Sequence, residues 1–367
     1  MQRSTTSHLL LVSLLYWCGW LIATGVASAQ TPSTDPASQA GPHIAVLLPL
    51  KSASIGRQAD AVRLGILEAS KVHRATTLPV IVHATGDDAY DVVQAYEEAV
   101  RSGAQLVIGP LMRSAVTALS GTKLVTVPTL ALNAPEVDTA IPPALYVFGL
   151  QVENEAKQVA QLARKQSRKN AVIVASDAPL SRRLAQAFAD EFARHGGTIQ
   201  DEFSYTSDTP SLMKLRDSLA AGFGDVIFLA LDATRARLIR SYLGNSTPIF
   251  ATSMVHSSND ALSSHELDGV YFVDMPWLLT PDHPAVMSYS RNDQAGLEFQ
   301  RFYALGIDAY RICQELLRGS QSAAPIDGVT GYITLGRDHR FLREPIPAQF
   351  TQGEMRLLGE GVSGLPQ

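Results

Sequence analysis

The 367-residue chain carries 30 basic against 35 acidic residues, a formal charge of −5. So mild an acidity argues against nucleic acid or an anionic membrane surface as partner. With 46% hydrophobic residues there is core enough for two lobes of ordinary size, and two cysteines, Cys18 and Cys313, supply no disulfide framework.

Met1 to His8 holds one basic residue, Arg3, and Leu9 to Ala23 is an apolar run too short for a comfortable membrane span. Ala27-Ser28-Ala29 then offers the small residues a signal peptidase accepts, which predicts a signal peptide over 1–29 and cleavage between Ala29 and Gln30. Lipid attachment at Cys18 needs a small residue just before it, and Tyr16 and Trp17 stand there, so a lipid anchor is not expected. The remainder is read as exported, with no membrane span after processing. A Pro/Ser/Ala-rich linker, 30–41, leads into the fold.

From His43 strands and helices alternate. Ile44 to Leu48 reads as a buried strand, followed by a helix through Val62, Ile66 and Ala69, then by a strand at Val80 to Val82 and a helix face at Val92, Val93, Tyr96 and Val100. The stretch QLVIGPLMRSAV, Gln105 to Val116, gives a third strand that stops at Gly109-Pro110 and predicts a helix opening at Pro110, the position where a missing N–H costs nothing. Its free N–H groups, from about Leu111 to Ser114, face whatever lies above the turn; an ordinary strand-to-helix connection has the same sequence. Val125 to Leu132 and Leu145 to Phe148 complete five strands.

A second series starts after Gln151, with a helix from Glu153, strands at Ala171 to Ala175, Ile199 to Tyr205, Val226 to Leu231, Ile249 to Ala251 and Val270 to Val273, and helices between them. The last quarter departs from alternation. LEFQRFYALGIDAYRICQELL, Leu297 to Leu317, reads as one long helix, and GVTGYITLGRDHRFLREPIPAQF as strands with tight turns. The expectation is an α/β protein of two doubly wound, Rossmann-like lobes joined by crossover strands, 42–150 plus 278–325 forming the first lobe and 151–277 plus 326–360 the second. Open sheets of this kind place ligands at the carboxyl ends of strands. The polar residues there are Ser52 and Ser54 after strand one, Arg113 and Ser114 after strand three, Asn133 after strand four, and Asp177, Asp232 and Ser253 in the second lobe. Helix capping is the competing role for all such Ser, Asp and Asn positions. Arg113 suits an anionic group or an acidic partner residue.

Enzymatic templates find little support. There is no GxSxG elbow and no GxxxxGK[ST] loop, and no GxGxxG turn opens a βαβ unit. Nine histidines, from His8 to His339, lack the close pairing that zinc needs, so no metal and no cofactor is expected. Asp87-Asp88 and Glu97-Glu98 read as solvated pairs, Cys313 as a small buried apolar residue, and Asp308 as a helix residue held near a crossover.

IAVLLPLKSASIGRQADAVRLGILEA, QLVIGPLMRSAV, VPTLALNAP, GIDAY and DGVTGYITL, in that order, resemble the type I periplasmic binding-protein superfamily. Within it, VIGPL, LALN, FGLQVENEAKQVA, FATSM and GVYFVDMPW resemble the penicillin-binding protein activators, in particular their LppC/LpoA-like C-terminal domain. The resemblance implies a non-catalytic periplasmic factor that regulates peptidoglycan synthesis by contact with a bifunctional penicillin-binding protein. Longer members of the family add a helical-repeat domain and a lipid anchor. The alternative is a solute-binding protein feeding an ABC uptake system, with a small polar, amino-acid-like ligand. Amino-acid receptors of the superfamily hold the ligand carboxylate after strand three, where Ser114 stands, and its ammonium with an acid and a ring on the second lobe. Here the strand-four turn offers the amide of Asn133, and Ser176-Asp177-Ala178-Pro179 brings no ring.

Overall fold

A computed structural model of the chain describes residues 41–73, 78–137, 140–205, 208–222, 224–292, 294–319 and 324–358. The expected signal peptide with its Ala29/Gln30 cleavage site, Cys18 and nearly all of the linker lie outside the described residues.

The first βα series runs β1 (His43–Leu48), α1 (Gly56–Val72), β2 (Val80–Ala84), α2 (Ala89–Arg101), β3 (Ala104–Ile108), α3 (Arg113–Ser120), β4 (Thr129–Ala131) and β5 (Leu145–Val147). Its five strands form one parallel sheet in the order β2-β1-β3-β4-β5. Every residue of β1 is buried, as a central strand covered on both faces by helices must be. α2 turns Val92, Tyr96 and Ala99 inward at helical spacing, and Asp88 caps it by accepting the Tyr90 N–H at 2.9 Å.

The second series runs α4 (Val152–Lys165), β6 (Asn170–Ala175), α5 (Pro179–Arg194), β7 (Thr198–Ser204), α6 (Thr209–Ala220), β8 (Val226–Ala230), α7 (Ala233–Leu243), β9 (Ile249–Ala251), a 3-10 turn at Ser253–Val255, α8 (Ala261–His265) and β10 (Val270–Asp274). The chain then forms α9 (Pro276–Leu279), α10 (Pro284–Met287), α11 (Leu297–Leu317), β11 (Ile326–Asp327), β12 (Tyr332–Leu335), β13 (Phe341–Glu344), β14 (Ile346–Thr351) and β15 (Glu354–Leu357). The second sheet has seven strands in the order β15-β14-β10-β9-β8-β6-β7, with β14 and β15 antiparallel to their neighbours.

Three crossings join the lobes: after β5, after β10, and at Pro345 between β13 and β14. The last differs from the expected boundary at 326. β11, β12 and β13 make a small antiparallel sheet of their own, and Ile326, Val329, Ile333 and Phe341 pack into the first lobe's core beside β1, β3 and α11. Only from Ile346 does the chain pair with β10 of the second sheet. Met275 and Trp277 belong to the first core too, so the return from the second lobe begins at the end of β10 and not at 278.

The loop after β3 also differs from its expectation. α3 begins at Arg113, and Pro110 does not open it. Gly109 and Pro110, joined by a cis peptide, continue the ladder toward β4 instead: the Gly109 N–H donates to Leu130 O and the Leu132 N–H to Pro110 O, both at 2.8 Å. Gly109 has φ of +107°, and a Cβ there would lie 2.1 Å from Leu47 O, so the position requires glycine twice over.

The two longest helices, α1 and α11, cross at reciprocal glycines. A Cβ on Gly65 would stand 2.0 Å from Tyr303 O, and one on Gly306 would stand 2.1 Å from Val62 O. The same helix carries Asp308, fully buried, whose carboxylate accepts the N–H of Val329 (3.1 Å), the N–H and hydroxyl of Thr330 (both 2.7 Å) and Arg311 Nη1 (3.2 Å). Burial raises its pKa against the lowering pull of Arg311 and Thr330. Asp308 thus ties α11 to the turn that leads into β12.

Candidate inter-lobe site

The polar residues at the strand ends are largely engaged by the chain itself. Ser52 is buried, and its hydroxyl accepts the N–H groups of Ser54 (3.2 Å) and Ile55 (3.1 Å), closing the turn into α1; Ser54 is exposed and lies 3.1 Å from it, Oγ to Oγ. Arg113, in the first turn of α3, donates from Nη2 to Pro135 O at 3.0 Å, so its fork ties down the loop after β4. Asn133 does the same from the other side, donating to Leu111 O at 3.3 Å and accepting the Ala134 N–H at 3.0 Å. Ser114 follows Arg113 in that turn, half-buried. The structure therefore brings Arg113, Ser114 and Asn133 together around the β3 and β4 loops.

In the second lobe Asp232 is the cap of α7. It accepts the Arg235 N–H at 2.9 Å and pairs with the Arg235 guanidinium, and these contacts hold its pKa below the ordinary value although burial pushes the other way. Asp177 is exposed in the β6–α5 loop. Ser253 is buried, and its main chain is its contribution: the N–H donates to Glu155 Oε2 at 3.0 Å and the carbonyl accepts Arg301 Nη2 at 3.3 Å.

Ser253 leads to groups that the reading of strand ends does not include. Glu155, on the second lobe's α4, pairs with Arg343 of β13 at 2.5 Å, the two side chains 3% and 5% exposed. Arg301 of α11 pairs with Asp274 at the end of β10, also at 2.5 Å, and donates to His256 O at 2.8 Å. His256 is fully buried, with Nδ1 2.8 Å from Asp274 Oδ2 and Nε2 3.0 Å from Asn259 Oδ1. Burial alone would raise the Asp274 carboxyl; Arg301 and His256 outweigh it and hold its pKa at about 2. This network of two ion pairs and a buried histidine held between Asp274 and Asn259 spans both cores, because α11 and β13 pack on the first and α4, β10 and the Ser253 turn on the second.

The signal for these residues was in the pattern. Arg301 shares a helical stripe with the buried Leu305, Asp308 and Ile312, and Glu155 stands one turn before Val159 on α4's buried face. Arg343 alternates with Phe341 on the covered side of β13. A charge on a buried stripe must meet a partner. Among the described residues there is no group of three or more His, Cys, Asp or Glu placed to hold a metal ion, and no helix long and apolar enough to cross a membrane. The GxGxxG spacing occurs as GEGVSG at 359–364, outside the described residues.

Comparison with known proteins follows the fold. A structure from Chromobacterium violaceum ATCC 12472, described as a "putative branched-chain amino acid ABC transporter", shares 38% identity with a TM-score of 0.72, covering 84% of this chain and 99% of that one. The C-domain of LpoA from Haemophilus influenzae, described as a regulator of PBP1A, superposes with a TM-score of 0.71 over 86% of this chain and all of that one, at 21% identity, a likeness of fold. Among curated sequences, the penicillin-binding protein activator LpoA of Yersinia pseudotuberculosis is 25% identical over 70% of this chain and 46% of its own length, and that of Glaesserella parasuis is 26% identical over 85% and 54%. The chain spans about half the length of these curated relatives. A sequence profile described as "LppC putative lipoprotein" matches residues 37–220 and 222–353, which takes in both lobes and all three crossings. By that match the chain belongs to the LppC family.

Proposed function

We propose that the protein is a non-catalytic periplasmic activator of a bifunctional penicillin-binding protein, acting on peptidoglycan synthesis by protein contact. The observation that carries the proposal is the LppC match over 37–220 and 222–353, together embracing nearly every described element. The occupation of the strand-end polar groups by the chain's own capping and inter-lobe bonds supports it, since a receptor needs such groups free for its solute. The test is capture of the chain on an immobilised bifunctional synthase, with the glycan-polymerisation rate read in parallel. Absence of both binding at micromolar concentration and stimulation overturns the reading. The family description names a lipoprotein, whereas Tyr16 and Trp17 before Cys18 favour a released form cut before Gln30. Mass spectrometry of the mature N-terminus decides between them.

The second reading, a periplasmic solute-binding protein of an uptake system, is favoured by the 38% identity to the Chromobacterium structure over almost all of that chain. Arg113, Ser114 and Asn133 would then line the first lobe's side, with Ser52 and Ser54 beside them, and Asp177, Asp232 and Ser253 the second's. Saturating ligand stabilises a receptor by about 3 to 4 kcal/mol at roughly 100 to 1,000 times its dissociation constant. A melting series with branched-chain and other amino acids that shows no such gain removes this reading.

A further inference from the structure

The carboxyl ends of β9 and β10 are where an open α/β sheet presents its acceptors to a ligand. In this chain those acceptors converge on a side chain from the other lobe. Arg301 lies near the start of α11, a helix whose apolar side is built into the first core, and its guanidinium reaches the second lobe's strand ends. It donates to Asp274 Oδ2 at 2.5 Å and Oδ1 at 3.3 Å, to Ser253 O at 3.3 Å and to His256 O at 2.8 Å. One carboxylate edge met by Nε and Nη2, with two carbonyls beside Nη2, suits the fork of a guanidinium, and a compact ammonium does not reach both edges of that set at once.

A second arginine repeats the arrangement beside it. Arg343 crosses from β13 to Glu155, while Gln158 Nε2, on the second lobe's α4, donates to Arg343 O at 3.1 Å. Each buried cation has its own carboxylate, so the charge of the network is balanced within the chain. A bound solute is not needed to neutralise it or to draw the lobes together.

We infer that Arg301 is a tethered internal ligand: its guanidinium fills a guanidinium-shaped subsite at the second lobe's strand ends and, with Arg343, fixes the two lobes at one angle without any bound solute. Opening the lobes would pull both arginines out of their acceptors at once, leaving Asp274 with His256 and Glu155 with the Ser253 N–H, and two guanidinium ion pairs broken. That cost makes the described arrangement the single resting state.

The test is the inter-lobe distance read by pulsed electron spin resonance on the full chain, with nitroxides on Asp87→Cys and Met213→Cys, both exposed positions on opposite lobes. Cys313 is buried, and with Cys18 replaced by serine in the background labelling is left to the introduced thiols. The wild-type background should give one narrow distance peak. Arg301→Ala should widen it about twofold as the lobes begin to sample other angles. Methylguanidinium, filling the emptied subsite, should narrow it again, and methylammonium at equal ionic strength should not. Arg301→Lys, which keeps the charge and loses the fork, should also widen the peak, and it decides the matter should Arg301→Ala fail to fold. A wild-type distribution with two peaks, an unchanged width in the variant that folds, or equal rescue by the two cations each overturns the inference.

Discussion

Replacing Gly306 by alanine sets two effects of opposite sign against each other. Alanine is the better helix former, by ~1 kcal/mol in a helix interior, so on propensity alone Gly306→Ala stabilises. The packing argues the reverse. The added methyl would sit 2.1 Å from Val62 O and 3.0 Å from Ile66 N, all main-chain atoms of α1 that no rotamer change can move aside. Restoring an ordinary carbon–oxygen contact means separating α1 and α11 by about 1 Å along a crossing built into the first lobe's main core, and overpacking of this kind costs roughly 1–3 kcal/mol and sometimes more. A 2.1 Å approach to main chain belongs at the top of that range, so about 3 less ~1 kcal/mol leaves the steric term ahead by about 2 kcal/mol. Urea unfolding followed by circular dichroism reads it as a fall in the midpoint at unchanged slope. Gly65→Ala, whose methyl would lie 2.0 Å from Tyr303 O, should behave alike, and the double variant should cost less than the sum because helices already parted accept the second methyl. A Gly306→Ala protein as stable as the parent, or more so, would refute the close crossing.

Asp274→Asn should lower neutral-pH stability by about 3–5 kcal/mol by stranding Arg301. It should also erase part of the acid limb. The Asp274 pKa is depressed from 3.8 to about 2 on folding, so its contribution, on the order of 2 kcal/mol, is complete above pH ~4 and lost as pH falls toward ~2. Equal acid limbs in parent and variant contradict the pairing. Asp308 works with the opposite sign, its raised pKa making its contribution complete in acid and lost as pH rises through the folded value, so Asp308→Asn should flatten that fall in the stability curve. Burial raises the Cys313 thiol well above its usual range, and Ellman's reagent should react with it only as fast as the fold opens; prompt reaction in native buffer contradicts the packing. Gly109→Ala, meeting Leu47 O at 2.1 Å with φ of +107°, should cost about 3 kcal/mol in the same urea assay.

Strands covered on both faces wrote themselves plainly into the sequence. β1, β6 and β8 are runs of β-branched and aliphatic residues, and α11 spans the Leu297–Leu317 stretch its spacing predicts. What periodicity cannot tell is which core a segment joins once the chain crosses between lobes. Phe341 and Ile333 look the same whether they pack on the first sheet or the second, and the choice is made at Pro345, where β13 ends and β14 turns to pair with β10. The opening of α3 at Arg113 was hidden for a related reason. Gly109-Pro110 reads as a helix start, and only the partners of its backbone, Leu130 and Leu132, reveal a continued ladder. α6 is carried by Leu212, Leu215 and Leu219, a sparse signal in a polar segment. The site was legible in half: strand-end Ser, Asp and Asn positions were visible as such, while Glu155, Arg301 and Arg343 sit at apolar positions, where a charge identifies itself only by its distant partner.

The interleaving of the chain has a consequence for the order in which the molecule can be made. The first lobe's core lacks its covering helix and small sheet until residue 344 has been synthesised, and the second lobe's sheet lacks two of its seven strands until 357. Neither half can therefore seal its interior as it emerges. A nascent polypeptide wired like this stays loose and threadable until β15 has been made, and a deletion of the β14–β15 hairpin would strip β10 of a neighbour on one flank.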